Sequence, residues 1–516
     1  MLDRLSGLET EYAIRARSNA DEFTPGSHDH GVSRFAIYRF LTEALRRQLP
    51  LATAKHFKDG SFLANGGAVW YESERPASGA GLIEGATAEC RGPRQLLAYQ
   101  RAQDSLLSQA ANEGLGEGFE GESPWTLVKN DRDAFDNVYG AQENYETPVA
   151  DGWRLFAWRA GLVAMFPMAA LSWIIFLALF LVMLTYFGIV CLFWPLVRDR
   201  PKLLGILYGN IDLGTPAPAW MERVLIWVIR IASLPLGAAL WLHCRLFAFY
   251  DSRRVLTAFL VTRSLLCGSG RLDRRGRFHL ADKAGGINCM IGFGNFFYDR
   301  PLFTMGHFFK QLCLESLFSP RDYARLFNRQ QRLQIGLGDS NMAEVSEYLR
   351  IGTTGLILDA IEAGRFKDCP LVRRPIAALH QVSEDALLAT TVLCRGGKHQ
   401  SALDIQWEYY RVCRDYVHET PNSPDDAWEI LGFWRDMLLS LAQYQEDGVL
   451  PESLIGELDW VTKKYLLDQA GPDASWEQLK KIDIRYHELS PNGYFAQLEK
   501  AGLIRHLLEK DEVARA

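Results

Sequence analysis

Glu9 and Glu11 stand two residues apart in GLETEYAI (7–14), a segment with strand character. Side chains at i and i+2 leave the same face of a strand. Two carboxylates side by side repel unless a cation lies between them, so the pair suits Mg²⁺. A solvated strand face is the competing explanation, and the pair taken alone favours it. Glu84 and Glu89, in IEGATAEC (83–90), offer further oxygen ligands, and Glu72, in WYES, adds an acid near a Gly-rich turn. Carboxylates drawn from separate strands could together hold two or more Mg²⁺ ions and a nucleoside triphosphate. The chain has no P-loop and no GxGxxG, which disfavours Walker-type and Rossmann sites. The 9 cysteines are an odd number, widely scattered and without a CxxC pair. They point to neither a zinc site nor a disulfide framework, and fit reduced thiols in a cytosolic setting.

The elements that must position these acids follow from hydrophobic periodicity. GLETEYAI and SFLANGGAVWYES (61–73) read as strands separated by Gly-rich breaks. RFAIYRFLTEALRRQL (34–49) and PRQLLAYQRAQDSLLSQAANEG (93–114) carry apolar residues at helical spacing. After residue 258 the chain becomes mixed and then mostly helical. The expected fold class is α+β, a sheet-rich N-terminal body with a helical C-terminal part.

One stretch breaks this pattern. The 38 residues between Arg159 and Arg198 hold no charged side chain. A bilayer core takes roughly 20 helical residues, so the stretch is long enough to span. It is internal, hence no cleaved signal peptide. A second stretch, 224–250, contains Arg230, His243 and Arg245, and reads as a second span or an interfacial helix. Residues 147–258 carry a net charge of +5, inside a 516-residue chain whose total is −6. A basic, apolar block within an acidic body fits attraction to an anionic leaflet. The acidic total disfavours a nucleic-acid partner.

Several segments, in order along the chain, resemble the Pup ligase/Pup deamidase family. They are GLETEYA (7–13), NGGAVWYE (65–72), GATAEC (85–90), LVKNDRDAFDNVYGAQENY (127–145), FLVTRSLLCGSG (259–270) and RLQIGLGDSNMAE (332–344), followed by IGTTGLILDAIEAG, SALDIQWEYY, LDWVTKKYLLD and IDIRYHELS. The resemblance implies a glutamine-synthetase-like curved antiparallel sheet cradling ATP and Mg²⁺, with a small helical C-terminal domain. It implies domain limits of 1–146 and 259–420 for the catalytic domain and 421–516 for the C-terminal one. Residues 147–258 would then be a membrane insertion with candidate helices 160–197 and 221–250. It further implies metal ligation by Glu9, Glu11, Glu84 and Glu89, nucleotide contacts from Asn130, Asn144, Arg332, Asp339 and Asn341, and a base at Glu72, where the family carries an Asp.

The implied activity is ATP-dependent carboxylate–amine ligation. The C-terminal Glu of a small ubiquitin-like modifier is phosphorylated on its side chain, and a target lysine displaces the phosphate to give an isopeptide bond. Only 52 residues separate Tyr12 from Asn65, which leaves little room for the long loop of the deamidase branch. The chain departs from the family at Gln142 and Gln334, where the family has His, and in ADKAGGINCMIG (281–292), which lacks the family's acid near Cys289. Gln is a much weaker metal ligand than imidazole. A nucleotide- or modifier-binding pseudoenzyme and a depupylase-type hydrolase are therefore the alternatives. Both ends of the insertion rejoin one body, so the bilayer is crossed an even number of times. Two spans with a short 198–220 loop are expected over a hairpin within 160–197, because IIFLALFLVML has no turn residue. The catalytic body is expected on the cytoplasmic side of the inner membrane.

Overall fold

The computed structural model describes residues 1–16, 34–53, 60–75, 80–113, 125–132, 138–197, 201–208, 218–294 and 299–516. β1 (Leu5–Ala16) is the longest strand and the centre of the fold. The chain continues through β2 (Leu51–Thr53), β3 (Gly60–Leu63), β4 (Ala68–Arg75), β5 (Ala80–Ala86), β6 (Cys90–Arg91), β7 (Trp125–Val128) and β8 (Ala141–Pro148). A short hairpin of β9 (Arg271–Leu272) and β10 (Phe278–His279) precedes β11 (Cys289–Gly292), β12 (Pro301–Thr304) and β13 (Gln330–Gly338). The main sheet runs β11-β12-β13-β8-β1-β5-β4-β3-β2, with β6 and β7 paired to the two ends of β1. Its pairs are antiparallel as expected, except that β11 and β12 run parallel.

The alternation along β1 explains its two faces. Leu8, Thr10, Tyr12 and Ile14 are buried, and Glu9 and Glu11 point the other way. The buried face is covered by the helices Pro93–Glu113 and Arg34–Gln48, with Tyr12, Ile37, Leu41 and Leu107 in one apolar cluster. The Tyr12 hydroxyl donates to Asp104 Oδ1 at 2.7 Å, which satisfies the polar end of a fully buried ring. The central helix Glu344–Glu362 is buried on nearly every side. Beneath it, Arg263 makes a two-pronged ion pair with Glu143 of β8, at 2.6 and 2.8 Å.

The helices Ala402–Glu419 and Asp425–Asp447 share one core with Tyr250–Thr262 and Glu344–Glu362, in which Phe259, Leu349, Tyr409 and Trp434 meet. The expected boundary at 420/421 therefore falls inside a continuous core.

Between β8 and residue 250 lies the helix Gly152–Leu192, unbroken for 41 residues, and then the helix Ala219–Leu246. A continuous helix replaces the hairpin considered within 160–197. It also begins at residue 152, ahead of the expected 160. Both helices are long and apolar enough to cross a membrane by length and composition. The first is anchored near its start. Trp158 is fully buried, donates from Nε1 to Leu326 O at 3.0 Å, and stacks on His243 of the second helix. Farther along, Trp173 Nε1 donates to Leu312 O at 3.0 Å. Beyond it, Ile174, Leu177, Phe180, Leu181 and Val182 are exposed.

Candidate active site

Directly opposed residues in a sheet share a face. Glu11 stands across from Glu84, and Glu84 across from Trp70, with Glu72 two residues beyond Trp70. On the other side Glu9 stands across from Gln142, Asn144 from Gln334, and Gln334 from Thr304. The register thus places residues of six strands on one face. Above it lies a cleft of about 1120 Å³, lined by Glu9, Glu11, Glu72 and Glu84 together with Lys283, Arg332 and both glutamines.

The acids are held individually. Glu9 accepts from Asn144 Nδ2 at 3.3 Å, Arg332 at 3.3 Å and Gln334 Nε2 at 3.2 Å. Glu11 accepts the Gly140 N–H at 2.6 Å, and Glu84 accepts Trp70 Nε1 at 2.5 Å. Gly140 has φ 128°, and a Cβ there would run into the Asp131 carboxylate, so this donor needs glycine. Burial pushes the Glu11 carboxyl up to about 7; Lys283 opposes the rise, whereas Glu72 and Glu9 add to it. Burial lowers the Lys283 ammonium, and Glu11 is the charge that most offsets this. Lys283 Nζ donates to Ala141 O at 2.7 Å.

Among the described residues no three His, Cys, Asp or Glu side chains form a ready metal-holding group. Mg²⁺ takes one or two carboxylates and completes its octahedron with water and substrate phosphate. The hard oxygen donors Glu9, Glu11 and Glu72 have the right chemistry, and all three line the cleft.

Four residues named from the sequence sit elsewhere. Glu89 is exposed beyond the end of β5, and the cleft lining does not include it. Asp339 is buried and accepts the backbone N–H groups of Ser269, Asp282 and Lys283 at 2.8, 2.9 and 3.0 Å. It fixes the turn that carries Lys283 and does not line the cleft. Asn341 donates to Cys267 O and Asp459 at 3.0 and 2.9 Å. Asn130 accepts from the Tyr139 hydroxyl at 2.9 Å and donates to Arg132 O. These polar side chains satisfy buried groups of the framework.

Sequence reasoning missed Lys283, because ADKAGGIN has no periodicity to place it. It also missed the far wall of the cleft, which includes Asp299, Arg300, His307 and Lys310.

A family model described as Pup-ligase protein matches residues 4–516. The chain is 30% identical over 280 residues to a depupylase of Acidothermus cellulolyticus, covering 52% of each chain. It is 31% identical over 270 residues to a Pup–protein ligase of Actinosynnema mirum, covering 51% of this chain and 55% of that one. It spans about half the length of these curated relatives. Among solved structures, the Pup ligase PafA in complex with the prokaryotic ubiquitin-like protein Pup superposes with a TM-score of 0.63 at 20% identity, over 100% of this chain and 79% of that one. PafA in complex with ADP gives 0.56 at 20% identity, over 97% and 83%. These two likenesses establish the fold. With a family model that matches nearly every residue, and with the acidic strand face in the expected register, the chain belongs to the Pup-ligase family.

Proposed function

We propose that the protein is an ATP- and Mg²⁺-dependent carboxylate–amine ligase that joins the C-terminal Glu of a small Pup-like modifier to target lysines. The observation that carries this reading is the strand face itself. Glu9, Glu11, Glu72 and Glu84 line one cleft opposite Lys283 and Arg332, in a chain of the Pup-ligase family.

A γ-carboxylate is a poor electrophile. Its oxygen attacks the terminal phosphorus of ATP, ADP leaves, and the resulting acyl phosphate is open to attack. The ε-amine of a target lysine then adds to the carbonyl carbon, the C–O bond to phosphate breaks, and an isopeptide bond remains. The ammonium proton goes to a base. Glu72 fills that role, since it lines the cleft and its charge reaches Glu11. Glu9 and Glu11 would hold Mg²⁺, which offsets charge between carboxylate and phosphate anions. Lys283 and Arg332 supply fixed positive charge for phosphate oxygens.

The same proposal places the helices Gly152–Leu192 and Ala219–Leu246 in a bilayer as two spans, with the body on the cytoplasmic side where ATP is available. Their length, composition and exposed apolar faces support it. Full-length protein with ATP, Mg²⁺ and a modifier ending in Gly-Gly-Glu should release ADP and form a conjugate with lysine. Absence of ADP release would overturn the ligase reading. Hydrolysis of a modifier conjugate without ADP release would assign the chain to depupylase chemistry instead.

A second reading, binding without turnover, rests on Gln334. Its Nε2 donates to Gln142 Oε1 at 2.7 Å and to Glu9 at 3.2 Å. The two glutamines thus occupy one another where the family resemblance implies imidazoles. Nucleotide binding with no ADP release would establish this reading.

A further inference from the structure

The wall facing the acidic strands follows β12 and the short helix Gly306–Lys310. Thr304 lies across from Gln334, so the residues just after it stand at the β13 side of the cleft. His307 is only 8% exposed and lines the cleft. Neither Nδ1 nor Nε2 finds a hydrogen-bond partner among the described residues. Gln311, one turn later, lines the same cleft with its Oε1 equally unpartnered. Buried polar atoms without partners are uncommon and call for an explanation. The ordinary alternative is a core histidine that fills space. It does not account for a second unpartnered side chain one turn away in the same wall.

The surroundings select the ligand. Lys310 and Arg332 are the two charges acting on His307, and both line the cleft. Burial and these cations hold the imidazole well below its usual range, so the ring is neutral. A neutral imidazole has one N–H donor and one acceptor, and a carboxamide likewise offers both. Two cations with two such groups match an oxyanion that carries a hydrogen-bond donor beside it. A protonated phosphate has this character, and so does a peptide C-terminus with its carboxylate and amide N–H.

We propose that His307 and Gln311, with Lys310 and Arg332, form an oxyanion subsite that binds either the nucleotide phosphates or the terminal carboxylate of the modifier. The inference rests on the ligase reading above for its ligands. It supplies an imidazole from a different element at a cleft where Gln142 and Gln334 provide none.

The test uses full-length protein in detergent with His307→Phe, His307→Gln and Gln311→Leu. Affinities would be measured for ADP and adenosine with Mg²⁺, and for a Gly-Gly-Glu peptide and its C-terminal amide, alongside Tm. His307→Phe should weaken ADP or the free-acid peptide by about tenfold, as loss of a charged hydrogen bond does. Adenosine and the amide should bind unchanged, and Tm should hold or rise. His307→Gln should retain most of the affinity. Loss on the ADP arm assigns the subsite to phosphate; loss on the peptide arm assigns it to carboxylate. Unchanged binding of both anions by His307→Phe overturns the subsite. So does a fall in Tm that accompanies equal loss for all four ligands. These measurements require no turnover, so failure to release ADP in the ligase assay would leave them decisive.

Discussion

The cleft face and the helix pair 152–192/219–246 place their side chains by opposite rules. On the cleft face each charge has an address. Glu9 is held by three side chains, and Glu11 by one backbone N–H that only a glycine can present. On the helix pair, Ile174, Leu177, Phe180, Leu181 and Val182 are exposed and apolar, and such side chains make no directional bond that would fix their positions. The lesson is that the cleft depends on strand register, whereas the membrane-spanning role proposed for the two helices rests on length and composition. The two regions meet where Trp158 and Trp173 donate to the backbone at Leu326 and Leu312, beside the wall that carries His307 and Gln311.

Charging the proposed span should have the largest effect. Phe180→Asp with Leu181→Asp puts two carboxylates into the apolar stretch, at roughly 6 kcal/mol in total. The protein should move from the membrane fraction to the carbonate-soluble fraction while detergent-solubilised ATP turnover stays unchanged. Retention in the membrane would contradict the spans. Arg263→Met should come next. It strands Glu143 in the core, and denaturant melts should show a loss of about 3–5 kcal/mol. This loss should appear without any change in membrane partition.

Glu9→Ala tests the cleft at one point. It should lower ATP-dependent conjugation by about a hundredfold or more, near 3 kcal/mol, with membrane association intact. Unchanged conjugation would remove Glu9 from the machinery.

Glu11 gives a pH test. Its folded pKa of about 7 lies above the ordinary value of 4.5 for a glutamate. Between these values the folded protein holds a proton that the unfolded chain has released. Stability from this group is therefore fully present below the unfolded pKa and falls as pH rises toward 7. Over that window the effect is about 2 kcal/mol, reduced by the partial exposure of the side chain. Glu11→Gln should flatten the decline, and Mg²⁺ should raise Tm more at pH 8 than at pH 5.5. An equal Mg²⁺ effect at both would separate Glu11 from the cation. Smallest is Trp173→Phe, which removes one hydrogen bond between the helix Gly152–Leu192 and the body. About 1 kcal/mol should be lost, with both activities kept.

Glu9 and Glu11 were legible from sequence because a strand repeats every two residues, Glu84 and Glu72 because they stand in motifs shared with the family, and the register aligned them across β1, β5 and β4. The long apolar helix was legible because 38 residues in a row carry no charge. Asp339, Asn341 and Asn130 bond groups of the framework, which their motifs did not reveal, for a general reason. A polar residue in a motif can bind a ligand or a buried backbone group, and only the fold shows which. Here Asp339 gathers three backbone N–H groups and so positions Lys283 at a distance of 56 residues in the chain.

By itself the sequence determined the family, through a collinear set of motifs, and the acidic strands and the long apolar stretch, through residue type and local period. The tertiary structure decided which of the polar residues share the cleft and that the C-terminal helices enter the common core. Those outcomes depend on contacts between segments far apart in the chain, and no local pattern carries them.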